Sequence, residues 1–180
     1  MGEPPARLWL SQARSDWEAA RRLLDLDDDG TFCQAIAKYQ QVVEKSVKAI
    51  ATAIRDAGIS PISTGFTHEI EKLVSSLVHL PRGKGPTNIK DQIKSLLHEG
   101  HRGEIRALCA LAPKRPGPDE LARRNTEYPY QRPDGSWIAP HERGAFESSD
   151  IDRFRALASR IFNGSARTVS AIAHLSRSSS

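Results

Sequence analysis

Apolar residues recur along this chain at intervals of three and four, and no segment sustains alternation at intervals of two, so the pattern predicts helices. Trp9, Ala13, Trp17, Ala20 and Leu24 fall on one stripe of a first helix over about 6–26, with Arg14, Glu18, Arg21 and Arg22 on the opposite side. The strongest periodicity follows, over about 31–57. Phe32, Ile36, Tyr39, Val43, Val47, Ile50 and Ile54 make one stripe, and Ala35, Val42, Ala49 and Ala53 a second beside it. A helix apolar on two sides touches neighbours on both and is expected at the centre of the fold. Gly58 and Pro61 supply its stop.

A third helix is predicted over about 67–80, capped by Thr67 and carrying Ile70, Leu73, Val74 and Leu77. Two shorter patterns, 88–99 and 104–111, are divided by Gly100 and Gly103. A short helical piece is expected over about 119–126. The stretch 128–146, dense in Pro, Gly and aromatics, reads as an ordered loop packed on the bundle. The last helix begins near Ser149, with Asp152 three residues on as a capping-box signature, and continues through Ile172 into a frayed tail at 176–180. The expected class is all-α. The architecture is an antiparallel up-and-down bundle with a four-helix core, one domain over 1–175, and an irregular, partly helical insertion over about 80–147 before the last helix.

Charge sharpens this picture. The net is +4 overall, but residues 1–79 hold nine Lys/Arg against eleven Asp/Glu, whereas 80–180 hold seventeen against eleven. The basic surface belongs to the second half and raises the expectation of a polyanionic partner. Two cysteines, Cys33 and Cys109, are too few for a disulfide framework and fit a reducing, cytoplasmic setting. No secretion signal and no membrane span is expected.

Most candidate metal patterns fall short. Asp25-x-Asp27-x-Asp29-Gly30 opens like a calcium loop, but Ile36 stands where the closing Glu is needed, so an acidic turn is expected. His98-x-x-His101 lacks a third ligand nearby and reads as a surface pair. Neither a metal nor a cofactor is expected. The helix amides around Thr67 to Ile70 can take an anion beside His68.

A more specific pattern is carried by Gln41-Val-Val-Glu44-Lys45-Ser-Val-Lys48-Ala49, preceded by a helix face with Asp16, Ala19 and Ala20 and followed by Thr67-His68-Glu69-Ile70-x-x-Leu73. In this order the segments resemble the HEPN domain family, whose name stands for higher eukaryotes and prokaryotes nucleotide-binding. Many members carry Arg-Tyr-Pro before the last helix; here the matching segment is Glu127-Tyr128-Pro129, with Arg123, Arg124 and Arg132 near enough to replace the cation. The resemblance implies a helical core, often homodimeric, in one of three roles: metal-independent ribonuclease, partner of a small nucleotidyltransferase, or non-catalytic module for a nucleotide or RNA. It points to Glu44, Lys45, Lys48, His68, Arg123, Arg124 and Tyr128 as ligand-binding candidates.

The ribonuclease branch uses an Arg, commonly followed by Asn, with a His after four to six intervening residues. Such a pair suits the chemistry, because His exchanges a proton while Arg holds the phosphate and neutralises its developing charge. Arg124-Asn125 has the dipeptide but is followed by Pro129, Tyr130 and Gln131 in place of His. Arg132 and His141 have eight intervening residues, too many, and Arg167 and His174 have six but lie late in the chain. The sequence therefore favours a non-catalytic module that binds a nucleotide, RNA or a nucleotidyltransferase. The alternative is a ribonuclease of toxin-antitoxin or defence type using Arg124, Asn125, Arg167, His174 or the Arg132/His141 pair.

Overall fold

A computed structural model describes residues 4–26, 29–63, 70–80, 87–111, 124, 126–127 and 129–178. Its elements, in chain order, are α1 (Ala6–Leu24), a 3-10 turn (Asp29–Thr31), α2 (Phe32–Asp56), α3 (Ile70–Val78), α4 (Thr87–Leu96), α5 (Glu99–Cys109), two short strands β1 (Tyr130–Gln131) and β2 (Trp137–Ile138), and α6 (Ser148–Ser178). The all-α class holds. No helix among the described residues is long and apolar enough to cross a membrane.

α1 and α2 form an antiparallel pair. As residue numbers rise along α1 their partners fall along α2: Trp9 meets Lys48, Asp16 meets Lys45 and Lys38, Trp17 meets Tyr39 at 5.5 Å between ring centroids, and the Leu23 carbonyl accepts from the Thr31 hydroxyl at 2.9 Å. α2 is the axis of the molecule, because every residue from Ser46 to Ile54 is buried. α1 covers one side, α6 another, and α3 and α5 the remainder. Both apolar stripes of α2 are thus covered within one chain. Three large apolar side chains are exposed among the described residues: Leu8 (52%), Leu26 (65%) and Trp137 (59%).

Two expectations shift at helix starts. α5 begins at Glu99, five residues before the pattern of Ile105 and Leu108 suggests, because the His98 ring caps it by accepting from the Gly100 N–H at 3.1 Å. Gly100 and Gly103 consequently lie inside the helix, and His101 sits one turn before Ile105 on the same buried stripe. The surface reading of His101 is therefore wrong; the residue is 6% exposed. α6 begins at Ser148, and the carboxylate that reaches back to its start is Asp150, which accepts from the Glu147 N–H at 3.2 Å. Asp152, expected in that role, pairs with Arg155 at 2.6 Å on the exposed face. α6 also runs on through Ser178, past the point where a frayed tail is expected.

The 129–147 segment is ordered, as its aromatics suggest. β1 and β2 pair antiparallel, Tyr130 opposite Ile138 and Gln131 opposite Trp137. Gly135, at φ +85°, closes the turn in a backbone region that disfavours side chains. Tyr130 and Ile138 point inward, and the Tyr130 hydroxyl donates to the Ala145 carbonyl at 3.1 Å. The start of the third predicted helix, with Thr67 and His68, lies outside the described residues, as does most of the 119–126 piece.

Candidate functional site

Two of the segments that carry the family resemblance, the Asp16 face of α1 and Gln41 to Lys48 of α2, come together at the seam between these helices. Lys38, Gln41, Lys45 and Lys48 recur at three and four residues on α2 and so face α1 along one stripe. Asp16, 4% exposed, receives two of them: Lys38 Nζ donates to one carboxylate oxygen at 3.2 Å and Lys45 Nζ to the other. Lys38 also donates to Gln41 at 3.1 Å. One turn on, Lys48 Nζ donates to Glu44 at 2.7 Å and lies 5.1 Å from the Trp9 ring centroid, a cation-π contact. Each lysine has a carboxylate partner inside the hairpin, two of the three sharing Asp16. Each buried ion keeps a partner, and removing one partner from such a set typically costs about 3–5 kcal/mol. What this seam does chemically is fix the register of α1 on α2.

Arg124 is also committed. Its guanidinium forks onto the Asp150 carboxylate at 2.8 and 3.2 Å and lies 5.1 Å from the centre of the Phe146 ring. Because Asp150 is the residue that caps α6, Arg124 fastens its segment to the start of the last helix. Arg167 and His174 are both exposed on α6, about two turns apart along the axis. His141 is exposed in the loop after β2. His68, Arg123, Asn125 and Tyr128 lie outside the described residues.

The arrangement that brings an arginine and a histidine together is one that spacing along the chain does not reveal. α4, α5 and α6 enclose an open groove of about 710 Å³, lined on the α6 side by Arg160, Gly164 and Arg167, on the α4 side by Asn88, Asp91, Gln92 and Ser95, and at its floor by Leu96 and His101. His101 Nδ1 lies 2.7 Å from the Leu96 carbonyl, which requires a proton on Nδ1. Arg160 lies 2.6 Å from Nε2, and since a guanidinium only donates, Nε2 is the acceptor. The ring is held in its neutral Nδ1–H tautomer, with its basic nitrogen turned toward an arginine. His98 stacks on it at 3.8 Å between centroids.

α4 and α6 approach closely at a glycine that lines the groove. A Cβ at Gly164 would overlap the Leu96 side chain. Glycine inside a long helix is unfavourable by roughly 1 kcal/mol against alanine, so its presence between Arg160 and Arg167 reflects this close approach. Sequence reasoning missed His101 and Arg160. A signal existed for the first, which continues the Ile105 and Leu108 stripe; for Arg160, fifty-nine residues away in sequence, there was none. Among the described residues, no group of three or more His, Cys, Asp or Glu side chains is placed to hold a metal ion.

The charged seam, the hairpin that carries it and the three following helices coincide with a match to a known family. The HEPN domain model matches residues 6–106, taking in α1 to α4 and most of α5. No curated protein and no solved structure matches significantly. The matched segment is more than half of the chain and contains the Asp16, Glu44, Lys45 and Lys48 seam, and the chain accordingly belongs to the HEPN domain family.

Proposed function

We propose that this HEPN domain is a non-catalytic helical module that binds a nucleotide or RNA, or seats a nucleotidyltransferase partner, through the basic face of its second half. The observation that carries this reading is that Arg124-Asn125 is followed by Pro129, Tyr130 and Gln131 where a His is needed, while Arg124 itself is forked onto Asp150. Arg167 and His174 have a fitting separation but lie late in the chain, both exposed on α6. Metal-independent cleavage needs a proton-transferring group and an arginine on the same phosphate, and losing either lowers the rate by roughly 10²-fold or more. The purified protein, incubated with single-stranded RNA and a chelator, is expected to leave the RNA intact. Cleavage abolished by Arg124→Ala or His174→Ala overturns the reading.

One observation favours the ribonuclease alternative, namely the Arg160 and His101 pair. In the same assay His101→Ala separates it from the first reading, since cleavage lost with His101 would make the groove an active site. A homodimer is also proposed. Leu8 on α1 and Leu26 just past its end are both exposed, and pairing with a second copy would cover them. Light scattering should give twice the 19.9 kDa chain mass; a mass of one chain at micromolar concentration removes the proposal.

A further inference from the structure

The groove between α4, α5 and α6 stands out by what its arginines lack. Every other arginine of α5 and α6 whose side chain is described has a carboxylate partner: Arg102 pairs with Glu99, Arg106 with Glu71, Arg153 with Glu104 and Arg155 with Asp152. Arg160 and Arg167 have none among the described residues. These are the two that line the groove. Arg160 is steadied by the neutral His101 ring, which accepts one of its N–H groups without cancelling its charge. The Leu96 carbonyl fixes that ring's tautomer, and burial fixes its position. An arginine held in place by a neutral acceptor is a cation with its charge and its remaining donors still free.

Two uncompensated guanidiniums on one wall match a dianion better than a single charge. A phosphate monoester is a dianion near neutral pH with three acceptor oxygens, whereas a backbone phosphodiester carries one charge. The opposite wall, on α4, is neutral or acidic: Asn88 and Gln92 offer amides and Asp91 a carboxylate. Asp91 repels a phosphate but accepts from hydroxyl or amino groups, which orients a ligand with its anion toward α6 and its hydrogen-bonding body toward α4.

We propose that this groove is a phosphomonoester site, in which Arg160 and Arg167 hold the terminal phosphate of a nucleotide while His101 positions Arg160. The phosphate can come from a free nucleotide or from the 5′ end of an RNA chain, and both present the same dianion. The inference rests on the reading of the protein as a nucleotide- or RNA-binding module and adds the site and the terminal phosphate as the feature recognised.

The test is calorimetric titration of the full chain with adenosine 5′-monophosphate, with a 5′-phosphorylated RNA hexamer and with the same hexamer bearing a 5′-hydroxyl. Adenosine monophosphate should bind, and Arg160→Gln and Arg167→Gln should each weaken it about tenfold or more, the size of a charge-assisted contact. Arg155→Gln, on the same helix but paired with Asp152, should leave it unchanged. His101→Leu should weaken binding and His101→Gln, which returns an acceptor to Arg160, should restore part of it. The phosphorylated hexamer binding above the hydroxyl one extends the site to chain ends; binding of the mononucleotide alone limits it to free nucleotides. If both hexamers bind equally and Arg160→Gln changes nothing, the site is overturned while RNA binding stands. If no probe binds at low salt, both fail.

Discussion

The α1–α2 seam and the α4–α5–α6 groove are both places where charged side chains meet between helices, and they differ in whether those charges are answered. At the seam Asp16 is shared by Lys38 and Lys45, and Glu44 holds Lys48. In the groove Arg160 leans on an uncharged imidazole, and Arg167 has no carboxylate partner among the described residues. A compensated cluster stabilises its own fold and has little left for a ligand. An uncompensated one keeps its field. The residues that identify the family thus brace the hairpin, and the residues suited to an anion lie elsewhere.

The largest effect expected from this contrast is at the seam. Asp16→Asn leaves Lys38 and Lys45 facing each other without their shared anion, and should cost about 3 kcal/mol in urea unfolding. A loss below about 1 kcal/mol would mean that the lysines find solvent easily and that the seam is not a brace. Next comes the contact that shapes the groove. Gly164→Ala gains helix propensity but drives a methyl into Leu96, and should destabilise by about 1–2 kcal/mol net. Leu96→Ala in the same chain should remove the clash, so the double variant falls short of the sum of the two losses.

The difference between the two regions was only partly legible in the sequence. α1 and α2 were, because their stripes repeat over five or more turns and nothing else uses apolar residues at that period. The start of α5 was not, since His98 and His101 do not count as apolar, although one caps the helix and the other extends its buried face. Lys45 and Lys48 were visible as a motif, and Glu44 with Lys48 as a pair on one helix, but Asp16 and Trp9, which tie these lysines to α1, sit on another helix. The groove was hidden for the same reason: Arg160 is one arginine among many until α5 is packed beside α6.

A titrating group makes the seam measurable by pH. Burial pushes the Tyr39 hydroxyl above its usual range, and that hydroxyl has no hydrogen-bond partner among the described residues. A phenol harder to ionise in the folded state leaves stability intact below its unfolded value near 10 and lost as pH rises through the folded one. Unfolding measured from pH 8 to 11 should therefore show stability declining above about 10. Tyr39→Phe should blunt that decline and, at neutral pH, be neutral or stabilise by up to about 1 kcal/mol. A destabilised Phe variant would mean that the hydroxyl has found a partner.

The smallest expected effect is in thiol reactivity. Cys33 is buried at the start of α2 and burial raises its thiol above the ordinary range, whereas Cys109 at the end of α5 is half-buried. Under native conditions at pH 8, iodoacetamide should label Cys109 first, with mass spectrometry of the digest reading the order. Equal labelling would place the start of α2 among the readily opened parts of the fold.

If the seam holds the fold and the groove holds the ligand, the two roles separate in a paired measurement. Urea stability and adenosine 5′-monophosphate affinity are determined side by side for Lys45→Gln and Arg160→Gln. Lys45→Gln should lower stability and leave the affinity of the folded protein unchanged, while Arg160→Gln should keep the stability and weaken affinity about tenfold or more. The reverse pattern, affinity lost with Lys45 and kept without Arg160, would make the α1–α2 seam the binding site and leave the groove without a ligand.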